Sequence, residues 1–164
     1  MQPERPLGEH RRFLKQISEE YKLGTYFPRH LTLNIKSEPE SFEWLRETEH
    51  GSVVFLMSAY CSACNMKPVQ EFVEQYTAFR YCVLFEGTLQ EMEQQRDIYD
   101  LDIPFHICDA AKITTQLMVN AMPYALVLNK IGQAVGAGIF NDYEKLEILT
   151  APLIRVYENQ LAKI

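Results

Sequence analysis

The sequence predicts an α/β fold, a mixed central sheet flanked by helices. Three observations carry this. A nearly unbroken apolar run, Ser52 to Ser58, reads as a central strand covered on both faces. Strand-like and helical patterns then alternate as far as Val119, as they do where strands are joined by crossover helices. The chain closes differently. Tyr124 to Leu128 and Ala134 to Ile139 flank Lys130-Ile131-Gly132-Gln133 and read as a hairpin, followed by a last helix.

The elements follow in order. Phe13, Leu14, Ile17 and Tyr21 fall at helical spacing, so a short amphipathic helix is expected from about Glu9 to Tyr21. Gly24 to Pro28 is a turn, and Leu31 to Ile35 alternates like a strand. Ser41 to Glu49 reads as a short helix with Phe42, Trp44 and Leu45 on its buried side, ended by Gly51. Asn65 to Phe79 carries an apolar stripe of Val69, Phe72, Val73 and Tyr76, with Pro68 expected to bend it or shift its start. Tyr81 to Phe85 is the next strand. Thr88 to Tyr99 is a polar helix with Thr88 as its cap. Phe105 to Cys108 is a short strand, and Ala110 to Val119 a helix. Asp142 to Asn159 is the final helix, with a break expected at Pro152.

Length and composition fit one folded domain. The chain has 164 residues, 47% hydrophobic and 23% charged. Residues 1–23 read as an N-terminal helical extension and 24–164 as the domain. The net charge of −6 and the lack of a basic stripe give no reason to expect nucleic acid. No run approaches the roughly 20 apolar residues of a spanning helix, and the start, Met1-Gln2-Pro3-Glu4-Arg5, does not lead into the apolar stretch of a signal peptide.

The chemistry is carried by Cys61-Ser62-Ala63-Cys64. An apolar strand delivers these cysteines to what the pattern predicts is the first turn of a helix. Unpaired N–H groups and positive partial charge there would stabilise a thiolate. One turn apart, two sulfurs can close and reopen as a disulfide. Cys61, nearer the helix start, is the expected attacking thiolate, and Cys64 the resolving thiol. Cys82 and Cys108 lie in apolar strand-like runs and read as buried, inert thiols.

Met122-Pro123 before the strand Tyr124 to Leu128, together with the cysteine pair, resembles the thioredoxin fold. The resemblance covers about Gly24 to Leu149. The stretch between Cys61 and Pro123 is longer than in plain thioredoxin and holds an inserted helix–strand unit, about 88–108. This is similar to the TlpA-like branch. Gly24-Thr25-Tyr26-Phe27-Pro28 with Leu31-Thr32-Leu33 resembles that branch's opening motif. Ile103 to Asp109 resembles its inserted strand, and Met122 to Leu128 with Gly132 its cis-proline strand and turn. Gly138-Ile139-Phe140-Asn141 with Leu146-Glu147 resembles the methylamine-utilisation protein MauD within the branch. Three positions depart from the pattern. Tyr60 stands where thioredoxins carry Trp, Phe55 stands where they bury a proton-moving Asp, and Pro68 comes one residue early.

The resemblance implies a thiol–disulfide oxidoreductase acting on protein thiols and disulfides, with a redox partner protein and no cofactor or metal. It implies that Pro123 follows a cis bond and faces the pair, with Met122 and Tyr60 as further substrate contacts. It also implies an extracytoplasmic location with a membrane tether outside this chain, the alternative being a cytoplasmic protein. The chain is expected to act as a monomer. With Phe55 replacing the acid, Glu86, at the end of its strand, is the candidate proton acceptor for Cys64. The plainer alternative is a solvated loop carboxylate. Lys67 is either a source of positive potential near Cys61 or a solvated lysine. Two other functions stay open. A copper-binding chaperone would use the thiolates with His106, which otherwise reads as a core histidine. A peroxidase would use Ser58 three residues before Cys61, but lacks the proline that such a site needs, Val54 standing in its place.

Overall fold

The computed structural model describes residues 21–163. The helix expected from about Glu9 therefore lies outside the described residues, except Tyr21. Tyr21 is buried, and its backbone N–H donates to the Tyr124 hydroxyl at 3.0 Å.

Five strands form one mixed sheet: β3 (Ser52–Ser58), β4 (Arg80–Glu86), β5 (Phe105–Ile107), β6 (Tyr124–Leu128) and β7 (Ala134–Ile139). Their order is β5-β4-β3-β6-β7. β4 and β5 run parallel to β3, whereas β6 runs antiparallel to β3 and to β7. Every residue of β3 is buried, as its apolar run requires. β1 (His30–Leu31) and β2 (Glu40–Ser41) make a separate two-residue antiparallel pair.

Among the described residues four helices connect and cover the sheet: α1 (Lys67–Gln75), α2 (Leu89–Ile98), α3 (Ala110–Leu117) and α4 (Tyr143–Ala162). Alternate strand residues feed two cores, because successive side chains point to opposite faces. On one face Val53, Phe55 and Met57 pack with Val69 and Phe72 of α1, Met92 of α2 and Leu146 and Leu153 of α4. On the other face Val54 and Leu56 pack with Ile113 and Leu117 of α3 and with Phe27, Leu31, Phe42 and Leu45 from the N-terminal segment. The inserted unit thus consists of α2 and the edge strand β5.

Several elements differ from the sequence reading. Leu31 and Leu33 are buried and Asn34 and Ile35 exposed, but no ladder extends beyond Leu31. The Gln116 side chain takes the place of a neighbouring strand. Its amide accepts from Thr32 N–H at 2.9 Å and donates to the Thr32 carbonyl at 2.7 Å. The helix expected over Ser41 to Glu49 is a single 3₁₀ turn, Glu43–Arg46, with Phe42 and Leu45 buried as expected. β5 stops one residue short of Cys108, whose N–H still bonds the Phe85 carbonyl at 2.9 Å.

Pro152 does not break α4. The proline cannot donate to the Ile148 carbonyl, yet Leu146, Leu153 and Ile154 around it are buried and hold the helix in place. The helix after the cysteines begins at Lys67, not at Asn65, and ends at Gln75, not Phe79. Here Pro68 decides. It lacks the N–H that would bond Cys64 C=O in a longer helix, and it sits where proline is tolerated, in the first turn.

Candidate active site

The three parallel strands end on one edge of the sheet. Ser58 and Glu86 are register partners at the ends of β3 and β4. β6 runs the other way, and its first residue, Tyr124, lies opposite Leu56 of β3. The residues entering β6 therefore meet the residues leaving β3. This brings Met122 and Pro123 beside the cysteine pair, although they are far apart in sequence. The Met122–Pro123 bond is cis, as the resemblance implied.

Cys61 lies in the turn before α1, not within the helix. The Cys64 N–H bonds the Cys61 carbonyl at 3.1 Å, and the Asn65 side chain, just ahead of the helix, accepts from Lys67 N–H at 2.9 Å. The expected placement of the pair in a first helical turn is corrected accordingly. Cys61 has a different polar neighbour. Its sulfur contacts the Met122 carbonyl oxygen at 3.6 Å. Both cysteines are half-buried and carry free thiols.

The two sulfurs share a cleft of about 70 Å³, whose walls include Ser58 and Ala59, Met66, Phe85 and Gln95. Burial pushes the Cys64 thiol up to about 12. The hydrogen bond between the two thiols acts in the same direction, as does the charge of Glu86, while the Ser58 backbone N–H opposes them. Cys64 is thus held as a thiol beside Cys61. Buried Cys82 and Cys108 are also pushed to about 12, chiefly by burial, in keeping with inert core thiols.

The other candidates separate clearly. Tyr60 is 70% exposed on the rim, Met122 is half-buried and Pro123 is buried. Glu86 does not line the cleft. It stands behind Ser58, whose hydroxyl donates to its Oε1 at 2.7 Å. Lys67 Nζ is engaged with the Gln70 side chain at 3.2 Å. His106 has partners of its own, Glu40 at 3.2 Å and the Phe42 ring edge-to-face at 5.2 Å. Among the described residues no three His, Cys, Asp or Glu side chains gather as a metal site, and no geometry supports the copper reading.

Sequence reasoning missed two residues here. In the sequence Ser58 stands out only as a peroxidase feature, and Gln95 is one residue of the polar helix Thr88 to Tyr99. Gln95 belongs to the inserted α2, so the insert supplies one wall of the cleft.

No family model matches the chain, and no curated protein matches it in sequence. Solved structures do. A thiol:disulfide interchange protein from Bacteroides sp. superposes with a TM-score of 0.57 at 12% identity, over 77% of this chain and 89% of that one. A thioredoxin-like protein in its oxidised form gives 0.65 at 15% identity, over 79% and 96%. The fold is thioredoxin-like. StoA from Bacillus subtilis agrees, at 0.53 and 16% identity, over 78% of this chain and 98% of its own. In this thioredoxin-like frame the insert is α2 with β5, and the cysteine turn sits at the sheet edge where open α/β folds carry their sites.

Proposed function

We propose that this chain is a thiol–disulfide oxidoreductase exchanging disulfides with proteins through Cys61 and Cys64. The observation that supports it best is the sharing of one small cleft by the two free thiols, with Cys61 against the loop that carries Pro123.

The exchange takes two steps. The Cys61 thiolate attacks one sulfur of a partner's disulfide. A mixed disulfide forms, and the partner's other sulfur leaves as a thiolate. Cys64 then gives up its proton and attacks the Cys61 sulfur. The Cys61–Cys64 bond forms, and the partner leaves as a dithiol. Run backwards, an oxidised pair passes its disulfide on. Tyr60, Met122 and Pro123 bind the partner chain beside Cys61. Glu86 takes up the Cys64 proton, and its nearness to Cys64 supports that role. Working as a monomer outside the cytoplasm, tethered to a membrane and served by a redox partner protein, is part of this reading; its support is the resemblance to the TlpA-like branch. Among the described residues no helix is long and apolar enough to cross a membrane.

The test is trapping. Cys64→Ser should accumulate mixed disulfides with protein substrates that thiols release, while Cys61→Ser should accumulate none. Equal trapping by both variants, or none by either, overturns the reading. The reduction potential of the pair against glutathione then fixes the direction of electron flow.

A further inference from the structure

β5 has one paired edge and one open edge. Along a strand, successive residues turn their N–H and C=O groups to opposite sides. Val83 N–H donates to the Pro104 carbonyl and Cys108 N–H to the Phe85 carbonyl, both at 2.9 Å. His106, midway between them, therefore turns its main chain toward β4, and Phe105 and Ile107 turn theirs outward. The Ile107 carbonyl accepts from the Asn34 side chain at 3.4 Å. The Phe105 N–H and C=O and the Ile107 N–H have no hydrogen-bond partner among the described residues. A groove of about 350 Å³ takes in all three residues of β5. Its walls come from both faces of the sheet. Leu89 and Met92 of α2 stand on the side of Phe105 and Ile107, and Leu33, Glu38 and Glu40 on the side of His106.

We propose that this open edge of β5 pairs with an extended segment of a partner protein in which a basic residue stands between two apolar ones. An added strand gives the three open main-chain groups their partners. Its side chains alternate between the two faces of the sheet. The neighbours of Phe105 and Ile107 meet Leu89 and Met92, and are apolar. The neighbour of His106 meets Glu38 and Glu40, in a chain of net charge −6, and is Lys or Arg. Glu40 already bonds His106 at 3.2 Å, whereas Glu38 has no ion-pair partner among the described residues. The Arg96 guanidinium is held over the Phe105 ring at 5.5 Å, on the other face. A second copy of β5 would bring its own Glu40 with its His106, and so the same charge, to this edge. β5 lies two strands from β3, roughly 10 Å, so the partner is held near Cys61 without covering it. The proposal stands apart from the oxidoreductase reading, since it needs no thiol chemistry.

Amide exchange followed by NMR, on the full chain with the blocked peptide Thr-Val-Lys-Val-Thr, tests this. In the free protein the Phe105 and Ile107 N–H groups should exchange with solvent much faster than the His106 N–H. With peptide at about ten times its Kd, both should shift and their exchange should slow about tenfold. Glu in place of the peptide's Lys should weaken binding about fivefold or more at low salt, as attraction to the carboxylates turns to repulsion. Glu38→Lys, at an exposed loop position, should narrow or reverse that preference. Methylating the three central peptide nitrogens should abolish binding, because main-chain pairing loses its donors. Phe105 and Ile107 N–H groups that exchange as slowly as His106 in the free protein overturn the proposal, whether the chain itself or a second copy covers them. So does exchange that the peptide leaves unaltered, or equal binding of the methylated peptide or of the Glu peptide.

Discussion

The Cys61 sulfur lies 3.6 Å from the Met122 carbonyl oxygen, and Cys64 sits behind it in the same cleft. The two cysteines are therefore unequal for reasons of position. One faces the loop entering β6, while the other is surrounded by Ser58, Met66 and Phe85. Helix proximity does not create the inequality, since α1 begins only at Lys67.

This inequality sets the order of modification. With its thiol pushed up to about 12, Cys64 is ionised in about one molecule in ten thousand at pH 8. Iodoacetamide at that pH should label Cys61 well before Cys64, as read by peptide mass mapping over time. Burial is the largest cause of the Cys64 shift, and it survives removal of the neighbour. In Cys61→Ser, Cys64 should still need a pH well above the ~8.5 of an open thiol for half-maximal labelling. Labelling at or below that pH would refute the burial argument.

Three raised thiols also make the fold sensitive to alkali. Cys64, Cys82 and Cys108 hold their protons in the native state up to about 12, whereas an unfolded thiol releases its own near ~8.5. Above that pH the native state binds more protons than the unfolded one, so stability falls as pH rises. The contribution is complete below ~8.5 and is lost progressively toward 12. Each group adds a slope of about 1.4 kcal/mol per pH unit in that window. Tyr76 and Tyr81, also raised mainly by burial, join above ~10. Denaturant unfolding from pH 8 to 10 should show a steady loss of stability, and Cys82→Val should make it shallower by about one group's share. A flat profile would contradict the burial of these thiols.

The inserted helix depends on the residue that caps it, Thr88. The Thr88 hydroxyl accepts from Glu91 N–H, and the Glu91 carboxylate accepts from Thr88 N–H, both at 3.1 Å. Thr88→Ala removes one half of the box and should cost about 1 kcal/mol. Thr88→Ser should cost much less. Because Gln95 on the same helix walls the cleft, hydrogen exchange in α2 and the resolution step should change together in Thr88→Ala.

Much of this was legible in the sequence, for identifiable reasons. Ser52–Ser58 and Tyr124–Leu128 carry buried side chains along their whole length, and each matched its expected bounds. Cys61, Cys64 and Pro123 could be singled out because their residue types are distinctive wherever they occur. Ser58 could not be. At the end of an apolar run it looks like any strand terminus, and only the parallel register sets it opposite Glu86. Gln95 is one polar residue among many until the helix is docked. The helix start was misplaced because apolar spacing says nothing about a missing donor at Pro68. The strand beyond Leu31 was overextended because alternation reports burial, and Gln116 supplied the pairing that a neighbouring strand would have made.

The packing of β7 on α4 gives the sharpest stability test. Gly136 pairs with Val127 in the hairpin, and a Cβ there would overlap the Leu149 carbonyl oxygen and lie 3.2 Å from its carbon. These are backbone atoms of a helix whose Leu146 and Leu153 are buried in the core, so no side chain can swing aside. Gly136→Ala must push α4 away from the sheet and should lose about 2–4 kcal/mol, in the range of overpacked cores and forced backbone shifts. Gly138 on the same strand is the control. The atoms nearest to a Cβ there belong to the Leu149 side chain, at 3.0 Å and beyond, and that side chain can rotate. Gly138→Ala should therefore cost clearly less. Comparable losses in the two variants, measured by urea unfolding with unchanged m-values, would mean that α4 yields as easily as one leucine side chain, and the rigid packing argued here would be wrong.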